Sequence, residues 1–169
     1  MLYCIKYKMG KWGGSALAVI LGVMLLLPAC NLLSGLPEVG LPMVYAALAA
    51  VAEEYFFRGF VFTALKKRGK YKAAILSTLA FALLHLVNLA NYPVDYTILQ
   101  VAAAFCVGFS LCGLLFKTKK LWPCLLCHLL INLTAHSELS PLGVGLICIC
   151  MLLYAVFGVL LLKNDEVLV

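Results

Sequence analysis

Three ionisable residues, Glu53, Glu54 and Arg58, stand in the string EEYFFR within a stretch that is otherwise almost wholly apolar from Leu41 to Leu65. Each such charge costs roughly 2.5–3.5 kcal/mol at the centre of a membrane helix, whereas each Leu or Phe there returns only about 0.5 kcal/mol. Such a segment must bury its charges against partners inside the protein. The string therefore dictates a bundle with a polar interior and marks a candidate functional site.

The rest of the chain has the composition of a membrane protein. Of its 169 residues, 65% are hydrophobic and 12% charged, where a soluble domain is about half apolar. The fold class predicted is all-α, a polytopic bundle of about six transmembrane helices over residues 12–33, 41–65, 73–90, 97–116, 121–135 and 141–162, each near the roughly 20 residues that cross a bilayer except the short fifth. Little chain remains outside these spans, so residues 1–169 read as a single membrane domain with no linker or internal repeat.

Charge supports the same partition independently. Lys6, Lys8 and Lys11 precede the first span, Lys66, Lys67, Arg68, Lys70 and Lys72 separate the second from the third, Lys117, Lys119 and Lys120 separate the fourth from the fifth, and Lys163 follows the sixth. The intervening loops carry Glu38, Asp95 and Glu138 instead. Basic residues mark cytoplasmic loops, which predicts both termini in the cytoplasm. The net charge of +6 is then a topology signal with some attraction to anionic lipid, and nucleic acid is not an expected partner. Pro42, Pro123 and Pro141 fall at or near first helical turns, where a missing N–H costs little, and Ser140 is placed to cap the last helix. An alternative reading of the N-terminus is a secretory or lipoprotein signal ending at LLLPAC, with Cys30 as the lipidated residue, although Pro28 fits such a cleavage site poorly.

Depth brings the intramembrane polar residues together. At about 1.5 Å per residue, Glu53 lies roughly 20 Å from Lys66, His85 roughly 20 Å from Lys72, and His128 and Asn132 roughly 12 and 18 Å from Lys120. Three helices thus place Glu, His, His and Asn in a similar layer. Glu54 and Arg58 are four apart and share a helical face, which predicts an ion pair. Glu53 points about 100° away from Glu54, which leaves it the freer carboxylate and the candidate general base. His128 and Asn132 are also four apart and face one cavity.

These spacings resemble the CPBP family of CAAX-processing and bacteriocin-processing intramembrane proteases, also called Abi proteins. Its motifs read here as Glu53-Glu54-Tyr-Phe-Phe-Arg58, Phe81-Ala-Leu-Leu-His85 and His128-Leu-Leu-Ile-Asn132, complete and in order over a core of about residues 40–135, with Gly59 and Asn88 also at family positions. The resemblance implies peptide hydrolysis within the membrane. Glu53 with His85 would activate a water, His128 with Asn132 would stabilise the oxyanion, and Glu54 with Arg58 would hold the site in shape, supported by Phe81 and Asn88. No metal is required by that scheme; a zinc site, if present, would use Glu53, His85 and His128, though no His-Glu-x-x-His string occurs. The expected partners are a membrane-embedded or lipophilic peptide substrate and the lipid bilayer. A chain this short resembles a prokaryotic member, in a cell membrane. Two readings compete with it: a non-catalytic bacteriocin-immunity or scaffolding protein of the same fold, and a small transporter using these charges as an ion pathway.

Other signals are discounted. Cys124-Leu-Leu-Cys127-His128 matches a c-type haem string and Asn132-Leu-Thr134 a glycosylation triplet, but both lie within a span. His136 falls in an outer loop. The eight cysteines, Cys4 and Cys30 among them, mostly occupy apolar helices, and no disulfide framework follows.

Overall fold

The computed structural model describes residues 40–134 and 141–163, with Gly22, Leu25, Pro28 and Ala29 before them. The rest of the expected first span, Cys30, Glu38, Ser140, His136, Glu138 and the Lys residues before Trp12 lie outside the described residues. Among the described residues every regular element is helical. Helix α1, Leu41–Glu53, continues without a break into a π-helical segment, Glu54–Phe62, a short α turn, Thr63–Leu65, and a 3-10 turn, Lys66–Arg68. Helix α2 spans Lys70–Leu84 and tightens into a 3-10 extension, His85–Ala90; α3 spans Val94–Thr118, α4 Trp122–Thr134 and α5 Pro141–Lys163.

Local chemistry accounts for the boundaries. Gly69 turns the chain at φ 109°, a conformation natural to glycine, and so allows α2 to start directly after the Lys-rich turn. Pro93 precedes α3, where its carbonyl accepts from both the backbone N–H and the hydroxyl of the buried Thr97. Helix α3 ends at Lys119, whose left-handed conformation lets its N–H reach Leu115 O. Pro42, Pro123 and Pro141 occupy first turns, as expected.

Among the described residues, three segments are long and apolar enough to cross a membrane: Lys70–Ala90, Val94–Thr118 and Gly143–Lys163. The α1 segment is comparably long but carries Glu53, Glu54 and Arg58, and α4, at 13 residues, is shorter. The exterior is apolar, with Tyr45, Leu48, Phe60, Val87 and Leu152 exposed, while Glu54, Arg58, Ser77, Ser110 and His128 are buried. This distribution suits a bundle solvated by lipid: the apolar side chains lose nothing outside, and polar groups find partners only inside.

Helix α3 is the axis, packing against α2 on one side and α5 on another, while α1 packs against α4. Between α3, α4 and α5 lies a core of Val107, Leu111, Leu114, Cys124, Cys127, Tyr154 and Phe157. Close approach of α3 and α5 depends on small residues. A Cβ on Gly113 would come within 2.8 Å of Leu161 Cβ, and one on Gly158 within 2.5 Å of the Phe109 ring and 3.1 Å of Ser110 N. The same approach lets Ser110 donate its hydroxyl to Tyr154 O. Apolar attraction between helices is weak in lipid, so such backbone proximity is where packing energy is gained. None of the six described cysteines is joined in a disulfide.

Substituting Gly158→Leu is expected to destabilise the protein by about 1–3 kcal/mol through overpacking. Gly145→Leu, on the same helix but with nothing within 4 Å of its Cβ, is expected to leave stability unchanged. Thermal unfolding of both variants in one detergent checks the contrast.

Candidate active site

The two glutamates stand at the junction where α1 changes from α to π geometry. The wider turn bonds each N–H to the carbonyl five residues back and leaves carbonyls available to other donors. Two are used here: Thr63 Oγ1 donates to Arg58 O at 3.1 Å, and Ser77 Oγ, reaching across from α2, donates to Phe57 O at 2.7 Å. The π segment is thus fastened to α2 through its own backbone. The uniform α-helix expected over 41–65 is corrected by this segment, whose cause is tertiary fastening and has no composition signature. Single-turn π distortions are common at functional sites.

Glu54 and Arg58 are both fully buried, with Arg58 Nη1 2.9 Å from Glu54 Oε1. The approach is electrostatic, since the guanidinium N–H bonds are not aligned on an acceptor. The face of the guanidinium finds its second support on Phe81, 4.1 Å from the ring centroid. Gly108 on α3 provides the space: a Cβ there would lie 2.7 Å from Arg58 Nη2 and 3.0 Å from Phe81 Cδ1.

His128 on α4 completes the cluster. Its Nδ1 is 2.8 Å from Glu54 Oε1 and its Nε2 3.5 Å from Glu53 Oε2. One imidazole therefore bridges both carboxylates, and Glu54 Oε1 is shared by His128 and Arg58. Glu53 differs from its neighbour in exposure, its side chain being 22% accessible against 0% for Glu54. The expected division between a clamped Glu54 and a freer Glu53 is present in the geometry.

His85 sits where α2 tightens. Its backbone N–H turns to the carbonyls of Ala82 and Leu83, and Phe81 O is taken instead by His85 Nδ1 at 3.1 Å. A carbonyl only accepts, so Nδ1 carries the proton and Nε2 presents a lone pair. The Phe81 ring meets both histidines edge-on, with centroids 4.9 Å from His85 and 5.6 Å from His128. Asn132, one turn beyond His128, donates from Nδ2 to Ala46 O on α1 at 3.2 Å. Asn88 donates to Gln100 Oε1 at 2.8 Å, tying the 3-10 extension to α3. Gly59 lies against Leu121.

Glu53, Glu54, Arg58, Phe81, His85, His128 and Asn132 thus come from three helical segments to one region, and Asn88 braces its edge. The sequence reading missed Ser77, Gln100 and Gly108. A serine, a glutamine and a glycine inside spans carry no signal of their own before the helices are packed. Among the described residues no three His, Cys, Asp or Glu side chains are grouped in a way that could hold a metal ion.

The fold and this cluster define a class: an integral membrane protein whose helical bundle encloses a carboxylate–histidine centre. Residues 35–134 match the Rce1-like family, type II CAAX prenyl endopeptidase Rce1-like, and the chain belongs to that family. At family level it is a CAAX-type intramembrane endopeptidase acting on membrane-associated substrate. No curated protein and no solved structure matches the chain.

Replacing Arg58 by Leu is expected to cost about 3–5 kcal/mol, because Glu54 is left charged and sealed from water. The double change Glu54→Leu with Arg58→Leu is expected to recover part of that loss. Thermal unfolding of the single and double variants in detergent checks both.

Proposed function

We propose that Glu53 is the general base of a metal-free peptide hydrolysis within the bilayer, and that the remaining cluster positions it and receives the developing charge. The observation that carries this reading is His128 held between the sealed Glu54 and the accessible Glu53, at 2.8 and 3.5 Å. Glu54 accepts from Nδ1 and fixes the ring; Nε2 is thereby aimed at the one carboxylate that can meet a water and a peptide.

Charge balance favours the same roles. Two carboxylates against one guanidinium leave a single negative charge, and one proton on the edge between His128 and Glu53 cancels it. In a low-dielectric interior a neutral cluster is the least costly arrangement. When a substrate carbonyl enters, Glu53 removes a proton from water with the lone pair of His85 Nε2 helping to orient it, and the hydroxide adds to the carbonyl carbon. His128 Nε2–H and the second amide proton of Asn132 then serve the oxyanion, the first amide proton being held by Ala46 O. Glu53 returns its proton to the leaving nitrogen, and the peptide bond breaks. Arg58 and Phe81 touch no reacting atom in this scheme; they hold Glu54 and the two imidazoles in place. No step of this scheme runs through a metal. The substrate class that suits this site is a lipid-anchored or transmembrane peptide presented within the membrane.

Replacing Glu53 by Gln preserves shape and removes the base. Membrane and released peptides of cells carrying the native chain are expected to include cleavage products absent with Glu53→Gln at matched expression, a loss of at least about a hundredfold given the usual worth of a general base. Identical peptide profiles would reject the catalytic role of Glu53. In the same assay Asn132→Ala is expected to lower cleavage by about 10²–10³-fold, the cost of losing one oxyanion donor.

A further inference from the structure

At the rim of the carboxylate–histidine cluster two side-chain amides meet between helices. Asn88, in the 3-10 extension of α2, donates from Nδ2 to Gln100 Oε1 on α3 at 2.8 Å. Among the described residues this is the one hydrogen bond that either side chain makes. It leaves Asn88 Oδ1 and both amide protons of Gln100 unused. Both residues are half-buried, and among the described residues the sealed side-chain polar atoms without a partner belong to Glu54 and Arg58 alone. The unused groups of the amide pair are therefore within reach of a ligand.

Placement ties this pair to the site from both helices. In a 3-10 helix, residues three apart eclipse one another, at about 2 Å of rise per residue. Within the segment His85–Ala90, Asn88 therefore stands in line with His85, roughly 6 Å along the axis. On α3, Gln100, Ala104 and Gly108 fall four apart in one row. Gly108 lies against Arg58 and Phe81, and Ala104 packs with Phe57 and Phe81. The row thus leads from the cluster to Gln100 over roughly 12 Å. A tie between two helices needs one donor and one acceptor, and this pair carries more. The exposed side chains that flank it in sequence, Leu84, Val87, Leu89 and Ile98, are apolar, and lipid offers an unused amide no partner.

We propose that Asn88 and Gln100 bind the main chain of the substrate, Asn88 Oδ1 accepting a peptide N–H and Gln100 Nε2 donating to a peptide carbonyl. The subsite rests on the reading that hydrolysis takes place at Glu53 and His85. An extended peptide advances about 3.3 Å per residue, so 6 Å from His85 places these bonds about two residues from the scissile one. Main-chain hydrogen bonds hold a peptide whatever its side chains, and the chemical class recognised is an extended backbone. A membrane-embedded peptide that leaves helical form must find new partners for its N–H and C=O groups. The amide pair supplies them beside the point where the scissile bond has to be exposed.

The test uses the purified full-length chain in detergent and an internally quenched, prenylated CAAX peptide, with a series in which each backbone nitrogen outside the scissile bond is methylated in turn. On the native chain one methyl, about two residues from the scissile bond, is expected to raise KM roughly tenfold with kcat nearly unchanged. Asn88→Leu is expected to raise KM for the unmethylated peptide by a similar factor, and that methyl then adds nothing, since both changes remove the same bond. Gln100→Glu keeps the acceptor that Asn88 needs and removes the protons offered to substrate. It is expected to raise KM roughly tenfold at an unchanged thermal unfolding midpoint, which a purely structural tie would not do. Multiplying effects of Asn88→Leu and of every methyl would overturn the subsite, as would a native KM in Gln100→Glu. Should Asn88→Leu fail to fold, Gln100→Glu decides alone. Cleavage of the parent peptide by Glu53→Gln at the native rate, or none by the native chain, would instead reject the underlying reading and the subsite with it.

Discussion

Everything near the site depends on how one buried guanidinium is kept. Arg58 has no access to solvent, and its charge is met on one side by Glu54 and on the other by the face of Phe81. Its space exists because α3 presents Gly108 at that level. Breaking such a pair strands a charge in a medium that cannot hydrate it, so the neighbours of Arg58 are constrained more tightly than their own contacts require. Helices α1, α2 and α3 are held in register here by a charge that only their joint packing makes tolerable.

From this anchor the geometry passes outward in a short series. Arg58 holds Glu54, Glu54 holds His128, and His128 faces Glu53. Each member is more accessible or less constrained than the one before. The arrangement gives two adjacent residues of the same type different surroundings. Glu54 is sealed between Arg58 and His128, while Glu53 keeps the greater exposure. His85, fixed through the carbonyl of Phe81, approaches the same region from α2 with its other nitrogen free. In the proposed reaction, groups held in this way need little rearrangement when charge develops on a substrate.

Much of this was legible before any coordinates. Hydropathy and the alternation of Lys-rich loops located the ends of the described helices to within about three residues, because both signals follow from the bilayer itself. The i, i+4 spacing of Glu54 and Arg58 announced their pair, and depth counting brought His85 and His128 to the level of the glutamates. What could not be read depends on neighbours distant in sequence. Gly108 is one glycine among 13 until Arg58 is placed against it. Ser77 is an ordinary serine until its hydroxyl meets Phe57 O. The contact of His128 with both carboxylates required the crossing of α1 and α4, which no single-helix periodicity contains.

The π segment has a further consequence for how the motif keeps its heading. The buried positions along this helix include Phe57 and a series four residues apart, Ala50, Glu54, Arg58 and Phe62. In a uniform α-helix a four-residue repeat drifts by roughly 40° at each step, so three steps would carry the last side chain about a third of the way around the axis. Widening the turns from Glu54 to Phe62 slows that rotation. Charge pair and aromatic anchor stay aligned toward α2 and α3, and the helix behaves over this length as a straight rail whose inner edge never turns to face the lipid.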